Sequence, residues 1–166
     1  MKPTTNIHPP GGHDELRPER VHDAYRAREK LPEPTVCPDC GAVYQRGRWT
    51  WGSAAAGAHP SRCPACRRIH DRFPAGYVTI GGAFLAKHRD DVLNLVRRCE
   101  EREKAEHPLE RIMAIEGEGD EVVVTTTSAH VARRIADGLH DAWKGSLDMS
   151  YNKAQDLFRA RWHRDR

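Results

Sequence analysis

The chain of 166 residues has no run of 18 apolar residues, the minimum for a membrane-spanning helix. Its first ten residues also lack the apolar core of a secretory signal peptide. We therefore expect no membrane partner and a cytoplasmic location, where structural disulfides are rare. In that compartment, paired Cys-x-x-Cys motifs are typical of metal sites.

The sequence also lacks the motifs that most often accompany catalysis. It has no phosphate-binding glycine loop, no nucleophile elbow and no His-Glu-x-x-His pair. The pair Gly81-Gly82 fits the start of a helix better than a nucleotide cradle. Since no motif in the sequence indicates catalysis, we expect a non-enzymatic protein.

Composition divides the chain into three segments. Apolar residues make up 38% and charged residues 31%, so part of the chain is expected to be disordered. Residues 1–34, rich in proline, glycine, histidine and charge, are predicted to be a disordered tail. Residues 35–81 are predicted to form a small zinc ribbon, and residues 82–166 a long helix followed by a ββαββ unit. The predicted fold class is α+β.

Apolar periodicity supports the last segment. Leu85, Val92 and Val96 recur at helical spacing before Pro108, which predicts a long helix over about 82–106. Two β-branched runs flank the turn sequence 117–120, and Ser128 is a plausible N-cap for a second helix. Alternating residues near the C-terminus predict two further strands.

The strongest motif is a pair of Cys-x-x-Cys sequences separated by 22 residues. Two knuckles of this spacing can direct four thiolates at one ion, and four protein ligands leave no open position for catalysis. We therefore predict a structural zinc ion held by Cys37, Cys40, Cys63 and Cys66. His59 is a possible substitute ligand, whereas Cys99 and His88 are expected to be packed side chains of the long helix.

Iron and redox chemistry are the alternatives to zinc. Cys37-x-x-Cys40-Gly41 with Tyr44 close behind also resembles rubredoxin, but that family has glycine after its second knuckle and acidic loops. Here Arg67 follows Cys66 and the loops are basic. A redox dithiol of the thioredoxin type requires one such pair beside a βαβ pattern, not two matched pairs.

Arginines and aromatic residues surround the cysteines. They fit two roles: a solvated surface that balances the charge of the zinc thiolates, or a surface that contacts phosphates and stacks on bases. Tyr44, Trp49 and Trp51 are equally compatible with stacking and with a small core. The predicted nucleic-acid contacts are Arg46, Arg48, Trp49, Arg67 and Arg68.

The run Cys37-x-x-Cys40 followed by Tyr44, Gly47 and Trp49 resembles a knuckle of the Nmd-three-type family, the export adaptors of the large ribosomal subunit in eukaryotes and their archaeal relatives. The resemblance continues in the same order over about residues 37–162. The chain also looks like a short bacterial family of uncharacterised zinc-ribbon proteins. The resemblance implies binding to rRNA or a ribosomal subunit without catalysis. Because the chain is much shorter than these adaptors, export is not implied.

Three functions follow as hypotheses. The first is a zinc protein that associates with rRNA or ribosomal particles, with the C-terminal unit as a second contact surface. The second is a zinc-stapled module that binds a protein partner. The third is a rubredoxin-like iron electron carrier.

Overall fold

The computed structural model describes Tyr25, residues 30–53 and residues 56–166. Most of the predicted tail, residues 1–34, lies outside the described residues. The described chain has a mixed α+β architecture with three helices and two sheets. None of its described helices combines the length and the apolar character that a membrane span requires.

Residues 35–73, here called the cysteine unit, form a small four-stranded sheet and a short helix. The strand order is β3-β2-β1-β4, with β4 parallel to β1 and the other pairs antiparallel. The elements are β1 Thr35–Val36, β2 Val43–Gln45, β3 Arg48–Thr50, β4 His59–Pro60 and α1 Pro64–Asp71.

Residues 76–166, here called the sheet unit, form a five-stranded sheet with two helices. The strand order is β6-β7-β5-β9-β8, in which β5 and β9 are parallel and the other neighbours are antiparallel. The elements are β5 Gly76–Gly81, α2 Ala83–Glu106, β6 Ile112–Glu118, β7 Glu121–Thr126, α3 Ala129–Trp143, β8 Ser146–Asn152 and β9 Leu157–His163.

The main core lies between the sheet and the two long helices. Alternate residues of the central strands point inward, such as Val78 and Ile80 of β5, while the apolar stripe of α3 covers them. Ser128 caps α3 as predicted, because its side chain accepts a hydrogen bond from the Val131 amide. On β9, Trp162 is fully buried and donates its indole N–H to the Lys144 carbonyl at 2.6 Å.

Strand β5 is the element that the sequence analysis overlooked. The predicted boundary at 81/82 assigns it to the zinc ribbon, yet β5 pairs with β7 and β9 at the centre of the larger sheet. The run Gly76-Tyr77-Val78-Thr79-Ile80 is rich in β-branched and aromatic residues, which is a strand signal. The sheet unit thus begins before the long helix.

His88 and Cys99, both predicted to be packed side chains of the long helix, differ in burial. His88 is exposed, interrupts the helical backbone with φ −125° and ψ 28°, and stacks on the ring of Phe84 at 4.2 Å. Cys99 is half-buried, and its Sγ faces the Arg134 carbonyl of α3 at 4.0 Å. Burial raises the pKa of the Cys99 thiol, as expected for an unreactive packed cysteine.

Candidate metal centre and adjoining cleft

The first cysteine pair lies on a tight turn between β1 and β2. The Gly41 amide donates to the Cys37 carbonyl at 2.9 Å, and the Cys37 amide donates to the Ala42 carbonyl at 2.8 Å. Gly41 has a positive φ of 79°, a conformation that glycine adopts without strain. The turn directs both thiols of this pair toward α1.

The second pair lies at the start of α1 rather than on a second knuckle. Cys63 is the N-cap residue, Pro64 occupies the first turn, and the Cys66 amide donates to the Cys63 Sγ at 3.4 Å. Cys66 is therefore one helical turn beyond Cys63, which brings the two side chains to the same end of the helix.

The four sulfur atoms converge at one point. All four Sγ atoms lie within 4.8 Å of one another, and Cys40 Sγ is 3.8 Å from Cys63 Sγ. A tetrahedral zinc ion with Zn–S bonds of about 2.3 Å requires sulfur–sulfur distances of about 3.8 Å. The donor set and its spacing therefore fit a metal ion such as zinc. His59 is exposed on β4 and is not among the clustered ligands.

The protein environment shifts the pKa values of Cys37, Cys63 and Cys66 in different directions. Burial raises the pKa of Cys37, but hydrogen bonds from three backbone amides outweigh burial and lower the pKa to about 7. Burial raises the pKa of Cys63 far above its ordinary value, and the neighbouring cysteines add to the effect. Burial also raises the pKa of Cys66, although Arg111 opposes that shift. Because metal ligands must be thiolates, a bound cation would provide the charge that favours deprotonation of the buried sulfurs.

Arg111, which lies just before β6 in the sheet unit, reaches the cysteine cluster. Its Nη2 donates to the Sγ atoms of Cys63 and Cys66 at 3.2 Å each and to that of Cys40 at 3.8 Å. Arg111 makes no comparable contact with Cys37, so its guanidinium lies over the face formed by the other three sulfurs. That position is compatible with an ion among all four. Cationic donors of this kind are common partners of metal thiolates.

A cleft of about 520 Å³ adjoins the cluster, between the cysteine unit and the segment 107–110 that follows α2. Among the described residues, its lining combines aromatic, cationic and apolar side chains with the carboxylate of Glu110, which accepts a hydrogen bond from Ser128 Oγ. Tyr44 and Trp49 lie with their ring centroids 5.6 Å apart. The cationic side chains of the lining are Lys30, Arg48, Arg62 and Arg67.

The predicted nucleic-acid residues divide into two groups. Arg48, Trp49 and Arg67 all line the cleft. Arg46 is exposed at the β2–β3 turn and does not line it. Arg68 is only 4% exposed and donates to the Phe73 carbonyl at 3.0 Å, with its guanidinium over the Tyr25 ring. Arg68 is therefore a buried side chain of the cysteine unit and, contrary to the prediction, does not line the cleft.

The two tryptophans next to the first pair have different environments. Trp49 is half-buried, packs against the cysteine cluster and also lines the cleft. Trp51 is 40% exposed and donates its indole N–H to the Lys104 carbonyl at 2.5 Å. That carbonyl belongs to the last turn of α2, where backbone acceptors have no partner within the helix.

Sequence reasoning did not identify Arg111 or the segment 107–110 as parts of the site. No local motif distinguishes Arg111 from the other arginines, because its partners lie 45 to 71 residues earlier in the chain. The sequence predicts only that the long helix ends at Pro108. Comparisons of the chain with protein-family models, with curated proteins and with solved structures found no match.

Proposed function

We propose that this chain is a non-enzymatic zinc protein that binds rRNA or a ribosomal particle through the cleft beside its metal centre. The observation that carries the proposal is the composition of that cleft, which is lined by Arg48 and Arg67 together with the rings of Tyr44 and Trp49. Cations that contact phosphates and aromatic faces that stack on bases are the combination by which proteins hold unpaired RNA.

Zinc is the proposed metal because the cluster offers four thiols and a spacing that suits a tetrahedral ion. The resemblance to the Nmd-three-type family and a cytoplasmic location belong to the same proposal. Elemental analysis of the purified protein tests the metal directly. A colourless sample with one zinc per chain supports the proposal, whereas a red sample containing iron favours the electron-carrier alternative.

The functional test is co-sedimentation of tagged protein with ribosomal particles at low salt, followed by a high-salt wash. We expect association at low salt and release by the wash, since contacts to phosphates are weakened by salt. The charge-reversal variant Arg48→Glu/Arg67→Glu should abolish the association. Arg97→Glu/Arg98→Glu, which changes two exposed arginines of α2 outside the cleft, is the control with the same net charge.

A protein-interaction module is the second candidate function. Its support is the exposed apolar surface at the end of α1, where Ile69 is 39% exposed and Phe73 56% exposed. Apolar side chains at a surface often mark contacts with a partner. If the Arg48→Glu/Arg67→Glu variant retains its partner in a pull-down and the wild-type protein binds no RNA at low salt, the second function replaces the first.

A further inference from the structure

Arg111 belongs to the sheet unit by its backbone and to the metal centre by its side chain. Its amide donates to Thr127 Oγ1 at 2.9 Å, and its carbonyl accepts from the Thr127 amide at 2.9 Å. Its side chain, in a residue 7% exposed, donates to three of the four clustered sulfurs. Arg111 thus connects the β7–α3 junction to the cysteines.

The charge of a metal-loaded cluster would favour the Arg111 contact. Four thiolates and one divalent ion carry two negative charges, which a buried guanidinium partly neutralises. The nearby arginines of the cysteine unit have other partners: Arg62 pairs with Asp39 at 2.5 Å, and Arg67 donates to Ser61 Oγ at 3.4 Å. Arg111 Nε is buried and has no hydrogen-bond partner among the described residues, so the sulfur contacts of Nη2 hold this side chain.

The segment before Arg111 is a wall of the cleft. His107, Pro108, Leu109 and Glu110 all line it, and Leu109 also packs against the cysteine cluster. The Leu109 carbonyl accepts a hydrogen bond from Thr127 Oγ1 at 2.6 Å, next to the bonds that fix Arg111. The position of this wall is therefore determined by the same contacts that place Arg111 over the sulfurs.

We propose that Arg111 is a positioning residue that couples metal binding to the cleft wall at residues 107–110. The ion fixes the four sulfurs, the sulfurs hold the guanidinium, and the guanidinium holds the wall against the cysteine unit. Coupling of this kind is reciprocal, so the Arg111 contact also strengthens metal binding. The inference rests on the metal centre of the proposed function and is independent of whether RNA occupies the cleft.

The first test measures hydrogen exchange of the full chain before and after the metal is removed with a chelator. We expect faster exchange of the amides in residues 109–111 and of Thr127, by about tenfold or more. Amides in the paired strands β5 and β9, such as those of Val78 and Ala160, provide the internal control and should be unchanged. Unchanged exchange at residues 109–111 would overturn the coupling.

The second test separates the role of Arg111 from general unfolding. Arg111→Met keeps the length of the side chain but removes its charge. The matched control is Arg46→Met, at an exposed arginine of the cysteine unit that does not line the cleft, and it should bind metal like the wild type. We expect Arg111→Met to lower metal affinity by about 10- to 100-fold in chelator competition, and Arg111→Lys to restore part of it. Faster wall exchange in metal-loaded Arg111→Met is also expected.

The results of these tests show whether the metal centre fails or only the coupling through Arg111 fails. Purified protein without bound metal would overturn the metal centre and the coupling together. Metal-loaded Arg111→Met with wild-type affinity and wild-type exchange at residues 109–111 would overturn the coupling alone. If Arg111→Met does not fold, the Arg111→Lys variant and the chelation experiment on the wild-type protein decide the question.

Discussion

The backbone amide of Cys66 donates a hydrogen bond to the Sγ of Cys63, its partner in the second cysteine pair, at 3.4 Å. Cys63 is also the N-cap of α1. One sulfur therefore serves as a candidate metal ligand and satisfies a backbone amide that has no acceptor within the helix. These two roles can be separated by substitution.

Cys63→Ser and Cys63→Ala should differ in stability but not in metal content. Both variants remove a thiolate, so both are expected to lose stoichiometric metal and to unfold the cysteine unit more readily. Serine is a preferred N-cap and alanine is not, so α1 should be about 1 kcal/mol less stable in the alanine variant. Elemental analysis and hydrogen exchange of α1 measure the two effects. Full metal content and a retained fold in Cys63→Ser would contradict the assignment of the site.

The salt dependence of RNA binding should reveal which arginines contact phosphates. If Arg48 neutralises one phosphate of a single strand, Arg48→Gln lowers the slope of log affinity against log salt by about 0.7. Anisotropy titrations of a labelled single-stranded RNA at several salt concentrations measure this slope. Arg97→Gln, on the exposed face of α2, should leave the slope at its wild-type value. Equal slopes for Arg48→Gln and wild type would remove Arg48 from the contact surface.

The contact between α2 and α3 should weaken in acid through Glu103. Its carboxylate accepts from His130 Nε2 at 2.9 Å and from Arg134 Nε at 3.0 Å. Burial raises the pKa of Glu103, but the hydrogen bonds from His130 and Arg134 outweigh burial and lower the pKa below its ordinary value of 4.5. Because the folded pKa is the lower one, this stabilisation is fully present above 4.5 and is lost as the pH falls through the folded value.

Urea unfolding at neutral pH and at about pH 3.5 tests this dependence. Glu103→Gln should lower the free energy of unfolding by about 1 kcal/mol at neutral pH and by less in acid. Glu101→Gln, an exposed residue on the same helix, is the matched control and should have little effect at either pH. An identical pH dependence of stability in Glu103→Gln and wild type would rule out this role.

Gly76 should not tolerate a side chain. A Cβ atom at this position on β5 would lie 2.5 Å from Thr126 Oγ1 and 2.6 Å from the Ala132 Cβ of α3. Gly76→Ala is therefore expected to destabilise the protein by about 1–3 kcal/mol, because the helix must shift away from the sheet. At Gly117 on edge strand β6 the nearest such atom, at the end of the Arg89 side chain, is 3.6 Å away. Gly117→Ala is the control, and thermal unfolding compares the two variants.

The sequence alone determined the local features. The spacing of the cysteines identified the four candidate ligands, because the geometry of a Cys-x-x-Cys turn is set within a few residues. The apolar period predicted α2, and Ser128 predicted the start of α3, since capping and amphipathic periodicity depend on neighbours along the chain.

Only the tertiary structure decided the long-range features. It separated Arg68, which is buried, from Arg48 and Arg67, which line the cleft, although sequence composition treats these arginines alike. It assigned β5 to the larger sheet, because strand pairing joins residues far apart in sequence. It also brought Arg111 over the sulfurs of a unit about 45 residues away, and no local pattern encodes a contact that depends on how two units pack.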